Sequence, residues 1–460
     1  MPGMARPVAE NGAVSPSLPV SSLLGKGDGN ASAILKLLRL ALVFFVRATS
    51  ASGSLLLAVA ITEFATIESL GLFTVLQSGL TFMGLLARGG MGVAYLRAGS
   101  RMQLREDLVS LHLVFGIVRN CMVRRGVVLG GIGALAFWGY LQFSSVSGAY
   151  VGLFFGACVP ASVLLALASE HFKSKSLVDV SLMLTPGVVA LLTASTILAL
   201  TRFEVFAGLV PLWLIVVVYI CVYWAVALSA LLMVQWVESR CIRKSSCDHA
   251  AEELRKITRE IQTAGPRFLA IQLLTYGTFG GLFLLAGFFF DGKELGVVRL
   301  SERLATPVML VLSIVNPLIA APLAQLYGEK KIDQLKLLVW SVSRVCVGLA
   351  VLLVLINLAF IDWFLADWVN AGLVSVPLVV VVLLGNAINL ACGPLGMVLS
   401  MANQEKMLER ISLCTMVVTV VLCCLMTFLF GPVGFCLAIA ISYSTKNLLM
   451  YRVYKKVFFC

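Results

Sequence analysis

Long apolar runs separated by short polar segments recur along the whole chain. A helix of about 20 mostly apolar residues is long enough to cross the hydrocarbon core of a bilayer. Twelve stretches of roughly this length are present. They are residues 38–61, 73–96, 121–142, 150–169, 180–200, 206–236, 268–290, 304–326, 337–360, 375–400, 411–430 and 432–450. The pattern therefore predicts an all-α integral membrane protein with about twelve transmembrane helices.

The composition points to the same class of protein. Of the 460 residues, 60% are hydrophobic and only 13% are charged, whereas soluble domains carry about 45–50% apolar and about 25% charged residues. The surplus of apolar side chains needs lipid to bury it. A soluble enzyme, a secreted disulfide scaffold and a disordered protein are therefore excluded.

The basic residues are distributed unevenly between the two sides of the predicted spans. If the N-terminus is cytoplasmic, 29 of the 35 Lys and Arg residues fall in inner segments, and Arg47 and Arg88 fall within spans. The four in outer loops are Arg202, Lys293, Arg299 and Arg303. Because cytoplasmic loops carry such an excess of basic residues, both termini are predicted to be cytoplasmic.

The spans divide into two sets of six. We predict a disordered cytoplasmic tail over residues 1–34, bundles over 35–236 and 267–450, a charged linker helix over 237–266, and a C-terminal cytoplasmic tail over 451–460. Glu68-Ser69-Leu70-Gly71 precedes span 2, and Lys293-Glu294-Leu295-Gly296 precedes span 8. This short repeat predicts two parallel six-helix bundles, related by a pseudo-two-fold axis along the membrane normal.

Residues that would indicate metal or nucleotide chemistry are sparse. Most of the twelve cysteines lie in or beside apolar runs, their spacing fits no zinc pattern, and the three histidines each lie near an inner loop. The chain lacks the GxxxxGK[ST] phosphate loop of ATP-driven pumps. No cofactor, metal or nucleic acid is expected as a partner.

Several motifs resemble those of one transporter family. Glu68-Ser69-Leu70-Gly71-Leu72-Phe73, followed by Leu85-Leu86-Ala87-Arg88-Gly89-Gly90-Met91-Gly92, is similar to the opening hairpin of Wzx-type polysaccharide flippases. Asn316-Pro317-Leu318 and the segment to Gly328 resemble the family's eighth span, and Gly431-Pro432-Val433-Gly434 resembles the start of its last span. These flippases belong to the multidrug/oligosaccharidyl-lipid/polysaccharide exporter superfamily. The resemblance covers about residues 35–450.

This resemblance implies a transport function rather than an enzymatic one. The expected substrate is an isoprenoid-diphosphate-linked oligosaccharide, such as an O-antigen or exopolysaccharide repeat unit. It would be carried from the inner to the outer leaflet of the bacterial cytoplasmic (inner) membrane by alternating access, in a cavity between bundles arranged in a V. Expected partners are this lipid-linked oligosaccharide, anionic membrane lipid and the polysaccharide polymerase machinery.

A diphosphate needs a cationic path, and charged residues inside spans usually face the bundle interior. Arg47 lies eight residues after Arg39, and Arg88 lies nine residues before Arg97, which places both roughly 12–13 Å inside the inner ends of antiparallel spans. Guanidinium groups at similar depth would form one phosphate-binding pocket, since arginine binds phosphate bidentately. The alternative is that both side chains snorkel to the inner headgroups.

Other polar positions are weaker candidates for substrate contact. Arg267 opens span 7, where it is either a ligand of the diphosphate or an interfacial anchor. Gln272 on span 7 and Asn316 on span 8 are candidates for binding sugar hydroxyls, with interhelical hydrogen bonding as the alternative role. The same choice applies to a further set, Gln77, Thr275, Asn386 and Asn389.

Two other functions remain open from the sequence. A membrane polymerase or ligase for glycans would need outer loops with catalytic groups, and only residues 291–303 offer a cluster of charge there. A multidrug exporter of the same superfamily would need an acidic cavity to attract organic cations. No carboxylate lies securely at mid-depth in the predicted spans, so the membrane potential is the expected driving force.

Overall fold

The computed structural model describes residues 29–104, 108–142, 149–175, 177–202, 210–242, 251–278, 280–368, 376–402 and 404–459. All regular structure in these ranges is helical. The predicted disordered tail is described only from Gly29, where the first helix already begins. The helices are α1 (Gly29–Phe64), α2 (Ile67–Arg88), α3 (Met91–Leu104), α4 (Leu108–Gln142), α5 (Ala149–Ser174), α6 (Val178–Met183), α7 (Pro186–Arg202), α8 (Leu212–Ile242), α9 (Ala251–Thr278), α10 (Leu282–Phe289), α11 (Gly292–Leu304), α12 (Thr306–Gly328), α13 (Ile332–Trp368), α14 (Val376–Ala391), α15 (Leu395–Met401) and α16 (Glu405–Phe459).

The described helices account for the twelve predicted spans. Seven are long and apolar enough to cross a membrane, and the bent pair α9–α10 makes an eighth. Shorter apolar helices in α1, α7 and α12 supply three more. The last of the seven, α16, contains two spans, which brings the number to twelve. The all-α membrane fold predicted from the hydrophobic pattern is therefore confirmed.

Helix α16 reverses direction at Gly431. This glycine has φ 58° and ψ −140°, a conformation that interrupts the helix and that a side chain would strain. A Cβ added to Gly434 would lie 1.8 Å from the carbonyl oxygen of Met426, eight residues earlier. In a straight helix these residues are roughly 12 Å apart, so the two segments pass side by side as the last two spans.

The helices form two bundles, which we call the N half (α1–α8) and the C half (α9–α16). Within the N half, α4 packs on α5, α1 on α7, and α5 on α8. Its core is aromatic: Phe73 meets Tyr219 edge to face at 5.2 Å, and Phe154 stacks on Tyr219 at 5.8 Å. In the C half, α14 packs on α13 and on α16. We call the face at the start of α1 and the end of α16 the basal face; the distribution of basic residues predicts that it is cytoplasmic.

The two halves meet where α2 and α11 cross. A Cβ on Gly71 would lie 1.9 Å from the Gly292 carbonyl oxygen, and one on Gly296 would lie 2.0 Å from the Ile67 carbonyl oxygen. These distances are far too short for any side chain, so glycine is required for the backbones to touch. The two Leu-Gly stretches of the internal repeat therefore contact one another across the pseudo-two-fold axis, at the face opposite the basal one.

The second predicted span, residues 73–96, is placed incorrectly. Helix α2 starts six residues earlier and ends at Arg88, because Gly89 and Gly90 both have positive φ (54° and 71°). Gly89 caps α2 in the left-handed conformation, and a separate helix, α3, follows. Its start packs against α9, where a Cβ on Gly90 would lie 2.0 Å from the Gly265 carbonyl oxygen. The halves thus also touch near the basal face.

The eighth span is longer than its hydrophobic run of 304–326. The polar segment 291–303, predicted to be an outer loop, forms α11, which begins with the Asp291 carboxylate accepting a hydrogen bond from the Glu294 amide at 2.7 Å. Gly292 and Gly296 bring one side of it against α2, and Leu295 and Val298 are buried. Arg299 and Arg303 are therefore not loop residues. Of the four basic residues assigned to outer loops from the sequence, Arg202 and Lys293 keep a position at the outer end of a helix.

The segments flanking the bundles are more helical than predicted. Helix α8 extends to Ile242, residues 243–250 lie outside the described part, and α9 runs from Ala251 through Pro266 directly into span 7. The boundary expected near 266 thus lies within a continuous helix. Helix α16 likewise continues to Phe459 through most of the predicted C-terminal tail.

A buried polar network ties four helices of the N half together near the basal face. The Tyr95 hydroxyl is hydrogen-bonded to His171 Nδ1 at 2.7 Å, and His171 Nε2 lies 3.3 Å from Glu238 Oε1. His112 Nδ1 contacts the other oxygen of Glu238. Because Tyr95, His171 and Glu238 are all buried, this network fixes α3, α4, α5 and α8 in register.

Candidate functional site

Three adjoining cavities lie inside the molecule, two of them lined by residues of both halves and the third by residues of the C half. The N chamber, about 430 Å³, lies against α2, α5, α8 and α11, and the C chamber, about 650 Å³, lies among α9, α12, α14–α15 and α16. A third cavity of about 410 Å³, which we call the bridge, lies between them. Ser54, Lys173 and Thr185 line both the N chamber and the bridge, and Ser313 lines both the bridge and the C chamber. The three cavities therefore adjoin one another in a row, with the bridge in the middle.

Arg299 brings a positive charge to a level about halfway along α2. One guanidinium nitrogen donates to Gln77 Oε1 at 2.9 Å and another to Glu302 Oε2 at 3.1 Å. Its Cζ lies 4.7 Å from the centre of the Phe283 ring, a cation–π distance. Gln77 is ten residues into α2, roughly 15 Å of helical rise, which is half the thickness of the hydrocarbon core. The guanidinium also joins the halves, because Gln77 belongs to α2 and Arg299 to α11.

Basic residues continue down the N chamber towards the basal face. Arg88, Lys173, Arg299 and Arg303 line it, with Glu170 as the carboxylate among the described lining residues. Glu170 pairs with Lys173 at 3.0 Å, and Glu302 pairs with Arg299 and lies 3.6 Å from Arg303. With both carboxylates counted, the group keeps an excess of two positive charges. Such a chamber is suited to an anion.

Arg88 lies lower in the chamber than predicted. It is the last residue of α2, roughly 32 Å of helical rise from the start of that helix, so it lies at the basal end of α2. The cause is the break at Gly89–Gly90, which removes the helical connection to Arg97 on which the depth was calculated. Its Nε donates to the Gly84 carbonyl oxygen at 3.1 Å, and within the described part of the chain no carboxylate forms an ion pair with it.

The side chain of Arg47, the other predicted pocket residue, lies outside the described part. Its backbone is in α1, 17 residues before the helix ends at Phe64, or roughly 26 Å of rise. A pocket shared by Arg47 and Arg88 stays a prediction.

The remaining predicted site residues separate into two groups. Asn316 and Thr275 line the C chamber, and Gln77 lines the N chamber. Arg267 is exposed on α9 and, like Gln272, does not belong to the lining of the three cavities. The Gln272 carbonyl oxygen is buried without a described hydrogen-bond partner.

The two asparagines of span 10 have different surroundings. Asn386 donates to the Ala305 carbonyl oxygen at 3.1 Å and so joins α14 to α12, the interhelical role that was the alternative to substrate binding. Asn389 lines the C chamber, where it accepts a hydrogen bond from Asn447 at 2.7 Å.

Arg299 and Arg303 were not predicted as cavity residues, because hydropathy placed them in a loop. A signal was nevertheless present: Leu295 and Val298 are three residues apart, as are Arg299 and Glu302. This spacing is typical of an amphipathic helix with one apolar face and an internal ion pair. Lys446 was missed in the same way, since it was counted with the C-terminal inner segment but lines the C chamber.

Comparison with known proteins identifies the architecture. No family model matches the chain, and no curated protein matches it. Among solved structures, the inward closed conformation of the lipid II flippase MurJ matches with a TM-score of 0.60 and 12% identity, covering 90% of this chain and 86% of that one. The fold is that of MurJ and the MATE transporters. An inward-facing multidrug resistance MATE transporter of the MOP superfamily matches with a TM-score of 0.64 and 12% identity, covering 90% of this chain and 98% of that one. The eukaryotic MATE transporter AtDTX14 matches with a TM-score of 0.55 and 13% identity, covering 92% of this chain and 96% of that one.

These neighbours extend over nearly the whole chain, so the MurJ/MATE fold includes both halves. By their names, the first of these neighbours is a lipid II flippase, and the second is a multidrug resistance transporter. At this level of identity the likeness establishes the fold, that of a multi-pass membrane protein.

Proposed function

We propose that this protein is a flippase that carries an isoprenoid-diphosphate-linked oligosaccharide from the inner to the outer leaflet of the bacterial cytoplasmic membrane. The observation that supports this most strongly is the basic lining of the N chamber. Arg299 and Arg303 of α11 line its upper part, and Arg88 and Lys173 line it at the basal ends of α2 and α5. A lipid-linked diphosphate entering from the inner leaflet meets Arg88 first and Arg299 last.

Arginine suits this task because of its shape and charge. Its planar guanidinium binds two phosphate oxygens at once. An unpaired arginine at mid-membrane is expensive to insert, about 2.5–3.5 kcal/mol on biological insertion scales. Gln77, Glu302 and Phe283 compensate part of this cost at Arg299. A diphosphate bound there would add the charge-assisted hydrogen bonds that balance the remaining positive charge.

Replacing Arg88 by Ala is expected to reduce transport by about 10- to 100-fold while membrane insertion stays normal. The reason is loss of a charge-assisted hydrogen bond, which contributes about 1.5–3 kcal/mol, at the entrance of the chamber. The measurement is flipping of a polyprenyl-diphosphate oligosaccharide in proteoliposomes. Arg259→Ala, which removes an exposed basic residue of α9 outside the cavity, is the control and should transport normally. Normal transport by Arg88→Ala would instead identify Arg88 as a snorkelling residue.

The membrane potential is expected to drive export. A diphosphate with about two negative charges gains about 2.3 kcal/mol per charge for each 100 mV when it leaves a negative interior. In proteoliposomes with a potassium gradient and valinomycin, a potential that is negative inside should increase outward flipping several-fold over the rate with no potential. An equal rate with and without the potential would rule out this mode of coupling.

A multidrug exporter is the alternative with the same fold. A cavity for organic cations would need a surplus of carboxylates, whereas the described lining of the N chamber has four basic residues and one acidic one. A glycan polymerase or ligase is the alternative from the enzyme class. The charge cluster 291–303 that would have served it lies in α11, packed on α2.

Lipid-linked oligosaccharide pools in cells that lack the protein distinguish these three functions. The flippase proposal predicts that the intact diphosphate-linked unit accumulates on the inner leaflet. Single unpolymerised units on the outer leaflet would favour an enzyme acting after the flip. No change in either pool would favour a small-molecule exporter.

A further inference from the structure

The C chamber differs from the N chamber in chemistry, and the bridge adjoins both. Its described polar lining consists mainly of amide and hydroxyl groups, contributed by Thr275, Ser313, Asn316, Asn389, Ser412 and Asn447. Its charged lining residues are Glu409 and Lys446, whose charges are opposite and cancel. We propose that the C chamber is a neutral sugar-binding subsite that holds the first sugars of the oligosaccharide while the N chamber holds the diphosphate. This proposal rests on the proposed flippase function.

An amide pair lies at the wall of the C chamber. Asn447 on α16 donates to Asn389 Oδ1 on α14 at 2.7 Å, and Asn389 Nδ2 lies 3.0 Å from the sulfur of Met309 on α12. A thioether is a weak acceptor, so this amide group has a better partner available in a hydroxyl. Because an amide both donates and accepts, it matches the hydroxyl and acetamido groups of sugars in either role.

Asn316, on α12, adds a further amide to the lining of the chamber. Its Oδ1 is buried and has no hydrogen-bond donor among the described residues. A buried carbonyl oxygen without a donor costs free energy, and a rotation of the side chain would turn it towards the chamber. Phe268, Met397 and Met450 provide apolar lining in the same chamber, which suits the C–H faces of pyranose rings.

The position of the bridge explains how one substrate would occupy both chambers. Ser54 and Thr185 line the bridge next to the N chamber, and Ser313 lines it next to the C chamber. Ser50 and Thr185 are hydrogen-bonded across α1 and α7 at 3.0 Å. A headgroup whose diphosphate lies by Lys173 would therefore extend along hydroxyl groups into the C chamber. At about 650 Å³, that chamber is within the range of roughly 300–1,000 Å³ found for small-ligand pockets.

Two probes separate the two subsites: polyprenyl diphosphate without sugar, and the same lipid carrying a disaccharide of N-acetylglucosamine. Dissociation constants are measured for the purified full-length protein in detergent. Wild type is expected to bind the glycosylated probe at least tenfold more tightly. Asn447→Leu and Asn389→Leu should each weaken binding of the glycosylated probe about tenfold, the effect of losing one or two hydrogen bonds. The affinity for the bare diphosphate should stay the same, so most of the difference between the probes disappears. Arg303→Gln should weaken both probes equally.

Two further variants distinguish loss of the sugar subsite from loss of folding. Thr275→Trp places a large side chain into the chamber from an exposed position on α9, and it should reject the disaccharide but not the bare diphosphate. Asn386→Leu removes a buried amide of the same helix as Asn389 but outside the C chamber, and it should leave the ratio unchanged.

The outcomes distinguish failure of the subsite from failure of the flippase function. Equal binding of both probes by wild type, or an unchanged ratio in the Asn447, Asn389 and Thr275 variants, would overturn the sugar subsite alone. If wild type bound neither probe, the flippase function would fail and the subsite with it. Tight binding of an organic cation such as ethidium, abolished in Glu409→Gln, would assign the C chamber to drugs instead.

Discussion

Replacing Arg299 by Gln is expected to reduce flipping by about 100-fold or more, the largest effect of any single substitution in the cavity. The substitution removes the cation at mid-membrane, together with its interactions with Glu302 and Phe283. Glu302 would then lie near the chamber with Arg303 as its basic partner, 3.6 Å away, so the excess positive charge decreases. The loss of one charge-assisted hydrogen bond to each of two phosphate groups, at about 1.5–3 kcal/mol each, gives this magnitude. Flipping in proteoliposomes measures it.

A second substitution separates the charge of Arg299 from its role in joining the two halves. Gln77→Leu removes the hydrogen bond from Arg299 across the interface but keeps the cation in the chamber. We expect Gln77→Leu to retain at least a third of wild-type transport, and Arg299→Lys to retain part of it, because lysine keeps the charge without the bidentate geometry. Equal loss of transport in Gln77→Leu and Arg299→Gln would mean that Arg299 serves to hold the halves together, and not to bind phosphate.

Replacing Gly71 by Ala is expected to abolish most transport by preventing closure at the face opposite the basal one. A Cβ at this position would lie 1.9 Å from the backbone of Gly292. Because the obstacle is backbone, α2 and α11 must move apart, and overpacking of this kind costs about 1–3 kcal/mol. The conformation in which these helices touch would become the minor one. Transport should fall at least tenfold in the flipping assay.

The accessibility of Leu295, buried beside this crossing, reports the opening. In Leu295→Cys, a membrane-impermeant maleimide added from outside should label the protein severalfold faster when Gly71→Ala is also present. Gly348→Ala is the matched control, since a Cβ there meets nothing within 4 Å, and it should behave as wild type. Unchanged labelling and transport in Gly71→Ala would show that the close crossing of α2 and α11 is not part of the transport cycle.

The fold was largely predictable from sequence because lipid imposes a simple length rule on apolar segments. The number of spans, the division into two halves and the parallel relation between them follow from hydropathy and from the short Leu-Gly repeat. The short repeat also marked the place where the two halves contact each other. Gly71 and Gly296 recur because each allows the backbone of the opposite half to approach.

The errors arose where the sequence departs from this rule. Arg299 and Arg303 belong to a membrane-level helix whose polar face lines an aqueous cavity, so hydropathy averaged over the segment resembles that of a loop. Arg88 was placed too deep because a depth counted along the chain assumes an unbroken helix, and the two glycines after it interrupt the helix. Both errors concern residues that line the cavity, where contact with lipid does not determine which side chains are present.

The grouping of Asn316, Asn389 and Asn447 could not be derived from one sequence. These residues are on three helices separated by 58 and more positions along the chain, and only the packing of the C half brings them to one chamber. Their polarity alone was equally compatible with hydrogen bonds between helices, the role that Asn386 fulfils.

Flipping by the purified protein is the most direct test of the proposed transport function. Proteoliposomes are loaded with a polyprenyl-diphosphate oligosaccharide, and the fraction exposed to an external glycosidase is followed with time. We expect wild-type protein to expose the substrate at least tenfold faster than protein-free vesicles do, and Arg299→Gln vesicles to resemble the protein-free ones. Exposure at the protein-free rate with wild-type protein, together with export of ethidium by the same vesicles, would refute the flippase function.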